Sequence, residues 1–170
     1  EIKQRWGRQH ATTDWREAVD NDEIGLVDVG TPNHLHAEMS IAALEAGKHV
    51  YCEKPLTLQA DEVDSLAAAA HAAGVAHIVG FNYSANPLIG LAREIIASGK
   101  IAEPIGFSGG YFEEYMASAD VPHSWRCERR YAGSGALADL GSHLINMLHT
   151  LLGRPRRVLG STWTVIGERR

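Results

Sequence analysis

Two groups of residues in this chain have the types and spacing for proton and charge chemistry. The first is Glu53-Lys54, an acid and a base at the end of the apolar run Val50-Tyr51-Cys52 and directly before Pro55. A short apolar run closed by a turn signal reads as a buried parallel strand. Lys54 then lies at the strand's carboxyl end, the edge where open α/β sheets bind ligands, and proline fixes the exit of the chain there. Taken alone, the pair is also what a solvated ion pair at a strand end looks like. The second group is Asp139 and His143, spaced i,i+4 and therefore on one face of a helix. A carboxylate one turn from an imidazole can set its tautomer and support an imidazolium. Taken alone, this spacing is an ordinary helical pair, but Leu137, Leu140, Leu144, Leu148 and Leu151 make the helix apolar, and buried polar groups need partners.

The elements that must position these residues follow from periodicity and turn signals. Thr13-Asp14 caps a short helix through Val19, and Ile24 to Val29 reads as a strand closed by Gly30-Thr31-Pro32-Asn33. A helix from about His34 to Ala46 presents Leu35, Met39, Ala42 and Ala46 on one face and stops at Gly47. The strand His49 to Cys52 comes next. Thr57 is positioned to cap a helix over 58–73, ended by Gly74, and Ala76 to Phe81 is a third strand. Strands alternating with helices at this spacing mean βαβ units and a parallel sheet. Thr31-Pro32-Asn33, Glu53-Lys54 and Asn82-Tyr83 then share one edge of that sheet.

After Tyr83 the pattern changes. A helix is expected over 87–97, a strand over 103–115, a loop over 116–133 holding His123-Ser124-Trp125-Arg126, a long helix over 135–152 and a last strand over 157–165. The fold class expected is therefore α/β: a partial Rossmann-type parallel sheet over 1–83, followed over 84–170 by part of an α+β, open-sheet substrate domain.

Composition narrows the function classes. With 45% hydrophobic and 22% charged residues the 170-residue chain can build a core. A net charge of −5 and the absence of a basic stripe argue against a nucleic-acid partner, and no apolar run is long enough to span a membrane. Two cysteines, Cys52 and Cys127, make no disulfide framework, so a reducing, cytoplasmic setting is expected. Glu1 to Gly7 resembles the tail of a helix, and the chain reads as the middle of a larger protein whose targeting region is missing.

Two motifs are decoys. Gly133-Ser134-Gly135-Ala136-Leu137-Ala138 matches the G-x-G-x-x-A dinucleotide fingerprint, but charged residues rather than a buried strand precede it. The glycines are expected instead to let the helix start approach a neighbouring segment or ligand. His34 and His36 sit at a helix start with their rings pointing apart, and no Cys/His/Asp cluster has metal-ligand spacing, so no metal is expected.

The runs Thr31-Pro32-Asn33-His34-Leu35-His36, Gly47-Lys48-His49-Val50-Tyr51-Cys52-Glu53-Lys54-Pro55, Gly80-Phe81-Asn82, Ser124-Trp125-Arg126 and Gly135-Ala136-Leu137-Ala138-Asp139-Leu140-Gly141-Ser142-His143 together resemble the Gfo/Idh/MocA family. These are NAD(P)-dependent sugar and cyclitol dehydrogenases similar to glucose–fructose oxidoreductase and inositol dehydrogenase. The resemblance implies that Lys54 and His143 are a catalytic pair, with Asp139 contacting substrate. It implies cofactor-side positions at Thr31, Pro32, Asn33, His36, Glu53, Lys54 and Asn82, with Trp125 and Arg126 near the nicotinamide. It also implies NAD or NADP as cofactor, a cis Lys54–Pro55 bond and homo-oligomers through the second sheet. The glycine-bearing first βαβ unit of such a domain, about 30 residues, is not in the sequence. A rival from another class is a catalytically silent sugar-binding or assembly module of the same fold.

Overall fold

A computed structural model of the chain describes Gly7 and residues 9–169; the helix expected over Glu1 to Trp6 lies outside the described residues. Three parallel strands, β1 (Leu26–Val29), β2 (His49–Cys52) and β3 (His77–Val79), lie in the order β1-β2-β3. Val27 pairs with Val50 and Tyr51 with Ile78. A short helix α1 (Arg16–Val19) precedes them, α2 (His36–Glu45) joins β1 to β2, and α3 (Glu62–Ala73) joins β2 to β3. β2 has the expected bounds, while β1 and β3 are shorter than the expected Ile24 to Val29 and Ala76 to Phe81.

Alternation along β2 sends Val50 and Cys52 into the core and leaves Tyr51 half-buried on the other face. Val29, Met39, Ala43, Leu44, Leu66 and Ala70 complete that core, sandwiched between the sheet and α2 and α3. Of the expected stripe Leu35, Met39, Ala42 and Ala46, Met39 is buried, Leu35 and Ala42 pack partly buried against the core and Ala46 is exposed; the fully buried residues of α2 are His36, Met39, Ser40, Ala43 and Leu44. Gly80 is forced: a Cβ there would lie 2.8 Å from the Tyr51 hydroxyl.

Helix α3 starts one turn later than expected. Thr57 does not cap it; the Glu62 carboxylate instead accepts from the Leu58 and Gln59 amides at 3.1 and 2.9 Å. Gly74 closes α3 in the left-handed conformation, φ +63°.

Beyond β3, a 3-10 turn (Asn82–Ala85) leads into α4 (Pro87–Ala97), capped by Asn86, whose side chain accepts from Leu88 N at 2.9 Å. A 3-10 turn (Trp125–Cys127), the short α5 (Arg129–Ala132), a π-helical turn (Leu137–Gly141) and α6 (Ser142–Leu152) follow. Two expectations fail here. Residues 103–115 and 157–165 have no strand pairing, so no open sheet forms among the described residues. A strand exists only through its ladder, and neither segment has a partner strand there; Ile105, Phe112 and Leu159 stand 106%, 92% and 101% exposed. The long helix expected over 135–152 forms, helical from 136 to 152, but its first turn, Leu137–Gly141, is π-helical, and Leu137 is half-exposed.

Candidate functional site

The carboxyl ends of β1 and β2 open into a cleft of about 230 Å³. Gly30, Thr31, Pro32, Asn33 and His36 form one wall, Glu53 and Lys54 a second, and Trp125, Arg126 and Asp139 the third. Eight of the nine sequence-predicted cofactor-side residues thus meet in one place. The ninth, Asn82, is exposed at the start of its 3-10 turn and does not line the cleft.

Each wall is held by the residues themselves. Asn33 is buried and donates through Nδ2 to the Ala132 carbonyl at 3.1 Å, which joins the β1 loop to α5. His34 packs its ring on Tyr131, centroids 4.7 Å apart. His36 turns the other way and brings its two ring nitrogens to the Pro55 and Thr31 carbonyls at 2.7 and 2.8 Å. The Lys54–Pro55 bond is cis.

Lys54 does not pair with its neighbour Glu53. Its Nζ donates to Asp139 Oδ1 at 2.5 Å and to the Asp139 main-chain oxygen at 2.7 Å, across 85 residues of sequence. Tyr115 donates its hydroxyl to Asp139 Oδ2, and Arg126 Nε lies 3.9 Å from the same oxygen. Burial alone would raise the Asp139 pKa, but the Lys54 ammonium, the Tyr115 hydroxyl and Arg126 outweigh it and hold the carboxyl below its ordinary range. Tyr115 is raised by burial and by its bond to that carboxylate.

His143 is buried one turn further along, boxed by Phe81, Tyr83 and Tyr111. Tyr111 stacks on it at 5.6 Å and 16°, Tyr83 meets it edge-on at 4.9 Å, and the two tyrosine hydroxyls lie 2.6 Å apart. Burial and then the Lys54 ammonium lower its pKa, only partly opposed by Asp139 and Glu53. His143 Nδ1 has no hydrogen-bond partner among the described residues, and His143 does not line the cleft itself. The aromatic box and Tyr115 are missing from the sequence-level site. Tyr111 and Tyr115 fall in a stretch whose alternation reads as strand, while Tyr83 is expected with Asn82 on the sheet edge but with no role beside His143.

The G-x-G-x-x-A decoy lies where its sequence context places it, after α5 and not after a strand. Gly133 takes φ +74°, and a Cβ there would come 3.0 Å from Leu58 Cδ2, the close approach expected of it. The described residues contain no cluster of metal-ligating side chains, and no helix among them is long and apolar enough to cross a membrane.

A parallel sheet with a polar cleft at its carboxyl edge is the architecture of dinucleotide-binding α/β proteins. Family models bear this out: "Oxidoreductase family, NAD-binding Rossmann fold" matches residues 2–81, and "GFO/IDH/MocA C-terminal domain" matches residues 89–170. The chain belongs to the Gfo/Idh/MocA family. It is 41% identical over 169 residues to levoglucosan dehydrogenase from Pseudarthrobacter phenanthrenivorans, covering 99% of this chain and 43% of that protein. It is 32% identical to scyllo-inositol 2-dehydrogenase (NADP(+)) from Bacillus subtilis, covering 93% and 43%. Among solved structures, levoglucosan dehydrogenase in complex with NADH and levoglucosan superimposes with a TM-score of 0.84 at 42% identity, over 89% of this chain and 41% of that one. An inositol dehydrogenase homolog complexed with NAD+ from Azotobacter vinelandii gives 0.75 at 29%, over 88% and 42%. The chain spans less than half the length of these relatives.

Proposed function

We propose that the protein is an NAD(P)-dependent dehydrogenase acting on a secondary alcohol of a sugar or cyclitol. The observation that carries this is the Lys54–Asp139 pair, 2.5 Å apart at the carboxyl edge of the sheet and one helical turn from a desolvated His143. The donor set fits the nicotinamide end of such a cofactor: polar loop residues Thr31 and Asn33, the Trp125 indole and the Lys54 ammonium share one cleft. Bound there, the nicotinamide supplies the hydride chemistry.

The chain's own residues would handle the proton and the charge. As an alcohol is oxidised its hydroxyl proton must leave, and a base titrating near or below neutrality is free to take it. His143, kept neutral by burial, has that role. Lys54 stabilises negative charge developing on the same oxygen, and Asp139, held anionic by Lys54 and Tyr115, orients the substrate hydroxyls. Thr31, Pro32, Asn33, Glu53, Asn82, Trp125 and Arg126 form the cofactor side. We assign 1–83 to the dinucleotide-binding domain and 84–170 to the substrate domain, with subunits associating through the latter in the cytoplasm.

The test is absorbance at the reduced-nicotinamide band while the full-length protein is incubated with NAD or NADP and a panel of sugars, anhydrosugars and cyclitols. Reduction of the cofactor by at least one polyol is expected. Tight binding of a polyol with no turnover under either cofactor would replace the dehydrogenase with a silent sugar-binding module.

A further inference from the structure

His36 is 1% exposed and occupies the first position of α2. An apolar side chain could fill this space without burying two ring nitrogens, which costs free energy unless both find partners. Neither nitrogen serves its own helix. Nδ1 reaches the Pro55 carbonyl at 2.7 Å and Nε2 the Thr31 carbonyl at 2.8 Å. Both oxygens are acceptors, so each contact needs a ring N–H; a neutral imidazole has one and only the imidazolium has two, and the bond to Pro55 requires the proton on Nδ1. Pro55 directly follows Lys54, whose ammonium is tied at its far end to Asp139. Lys54 is therefore held at its head by Asp139, and the chain directly after it is held at the Pro55 carbonyl by His36.

We propose that His36 is a positioning residue for Lys54, acting through the Pro55 carbonyl, and not a contact for the cofactor. The proposal rests on the reading of Lys54 as catalytic. Releasing the backbone grip lets the ammonium drift, and a displacement of about 1 Å at a reacting centre can cost about a hundredfold in rate.

The two ring nitrogens can be dissected with amides. The Asn side chain places its N–H₂ where Nδ1 sits, and the longer Gln places it where Nε2 sits. His36→Asn thus keeps a donor for Pro55, and His36→Gln keeps one for Thr31. In the full-length protein His36→Asn is expected to hold kcat within about threefold of wild type and His36→Gln to lose at least about tenfold. Hydrogen exchange at the Leu56 amide, measured without cofactor or substrate, should quicken more in His36→Gln. In a Lys54→Ala background the two variants should have equal kcat, because the group they position is gone.

A kcat for His36→Gln equal to or above that of His36→Asn overturns the proposal. So does a gap between the variants that persists in Lys54→Ala, or failure of both to fold, either of which makes His36 a core residue only. Wild-type turnover in Lys54→Ala alone would instead sink the catalytic reading of Lys54.

Discussion

At the scale of single residues, the site is a chain of polar contacts: the Lys54 amide on the Glu53 carboxylate, the Lys54 ammonium on Asp139, and Asp139 under Tyr115 and Arg126. Replacing Lys54 by Ala in the full-length protein should lower kcat/KM for polyol oxidation by about 10²- to 10⁴-fold. Tyr115→Phe, which removes one donor to Asp139, should cost far less, about tenfold or under. Initial rates on the preferred polyol decide both, and a Lys54→Ala enzyme as fast as wild type would discard the assignment. His143 gives a second test, independent of turnover. Its ordinary value is 6.5, and burial followed by the Lys54 charge lowers it. Its NMR titration midpoint should therefore lie below 6.5 in the wild type and rise in Lys54→Gln. The sign for stability follows. A histidine lowered on folding binds fewer protons folded than unfolded, so its contribution is full above 6.5 and fades as pH falls through the folded value. Lys54, Asp139 and His143 were legible because Glu-Lys-Pro and the D-x-x-x-H spacing carry chemistry in one dimension. Tyr111 and Tyr115 were not, since an aromatic in an alternating stretch reads as packing until its three-dimensional neighbours are known.

At the scale of elements, the strands and α2, α3 and α4 came from periodicity and caps, with errors at their ends. The α3 start slipped because Glu62 out-competes Thr57 for the orphan amides of residues 58 and 59. The π-turn at the start of the last helix had no sequence signal. A π-turn needs one residue more per turn than an α-helix, and Gly141 alone does not announce it. The turn carries Asp139, so the i,i+4 argument from an ideal helix reached the right residues through imperfect geometry. Gly133 supplies the prediction at this scale. Its φ of +74° is strained for any residue with a Cβ, and the added carbon would press on Leu58 at 3.0 Å. Gly133→Ala should therefore destabilise by about 1–2 kcal/mol. Chemical denaturation of the full-length protein measures this, and an unchanged midpoint would show that the turn relaxes freely.

At the scale of the whole molecule, the described residues place the nicotinamide-side walls but contain no glycine-rich turn between a strand and a helix. Such a turn supplies backbone N–H groups and a helix N-terminus to the pyrophosphate, and each charge-assisted bond lost costs about 1.5–3 kcal/mol. The 170 residues alone should therefore bind NAD or NADP weaker than millimolar by calorimetric titration, while the full-length protein binds in the micromolar range. Micromolar affinity for the short chain would mean that the phosphate contacts were never the main source of binding. The strand segments 103–115 and 157–165 were misread for a related reason: alternation reports which side chains want burial, not whether a partner strand is present.

The hydrogen-bonded side-chain ties between residues 1–83 and 84–170, among the described residues, are Lys54 to Asp139, Asn33 to Ala132, and Tyr83 to Tyr111. Two of these three are also walls of the cleft. Prising the halves apart and dismantling the site are consequently one event, and it needs no strand of the sheet to separate. Thermal inactivation should then run ahead of unfolding: turnover disappears at a temperature where the sheet core around Leu44 and Val50 is still closed. The buried amides of β2 would go on resisting exchange in an enzyme already dead.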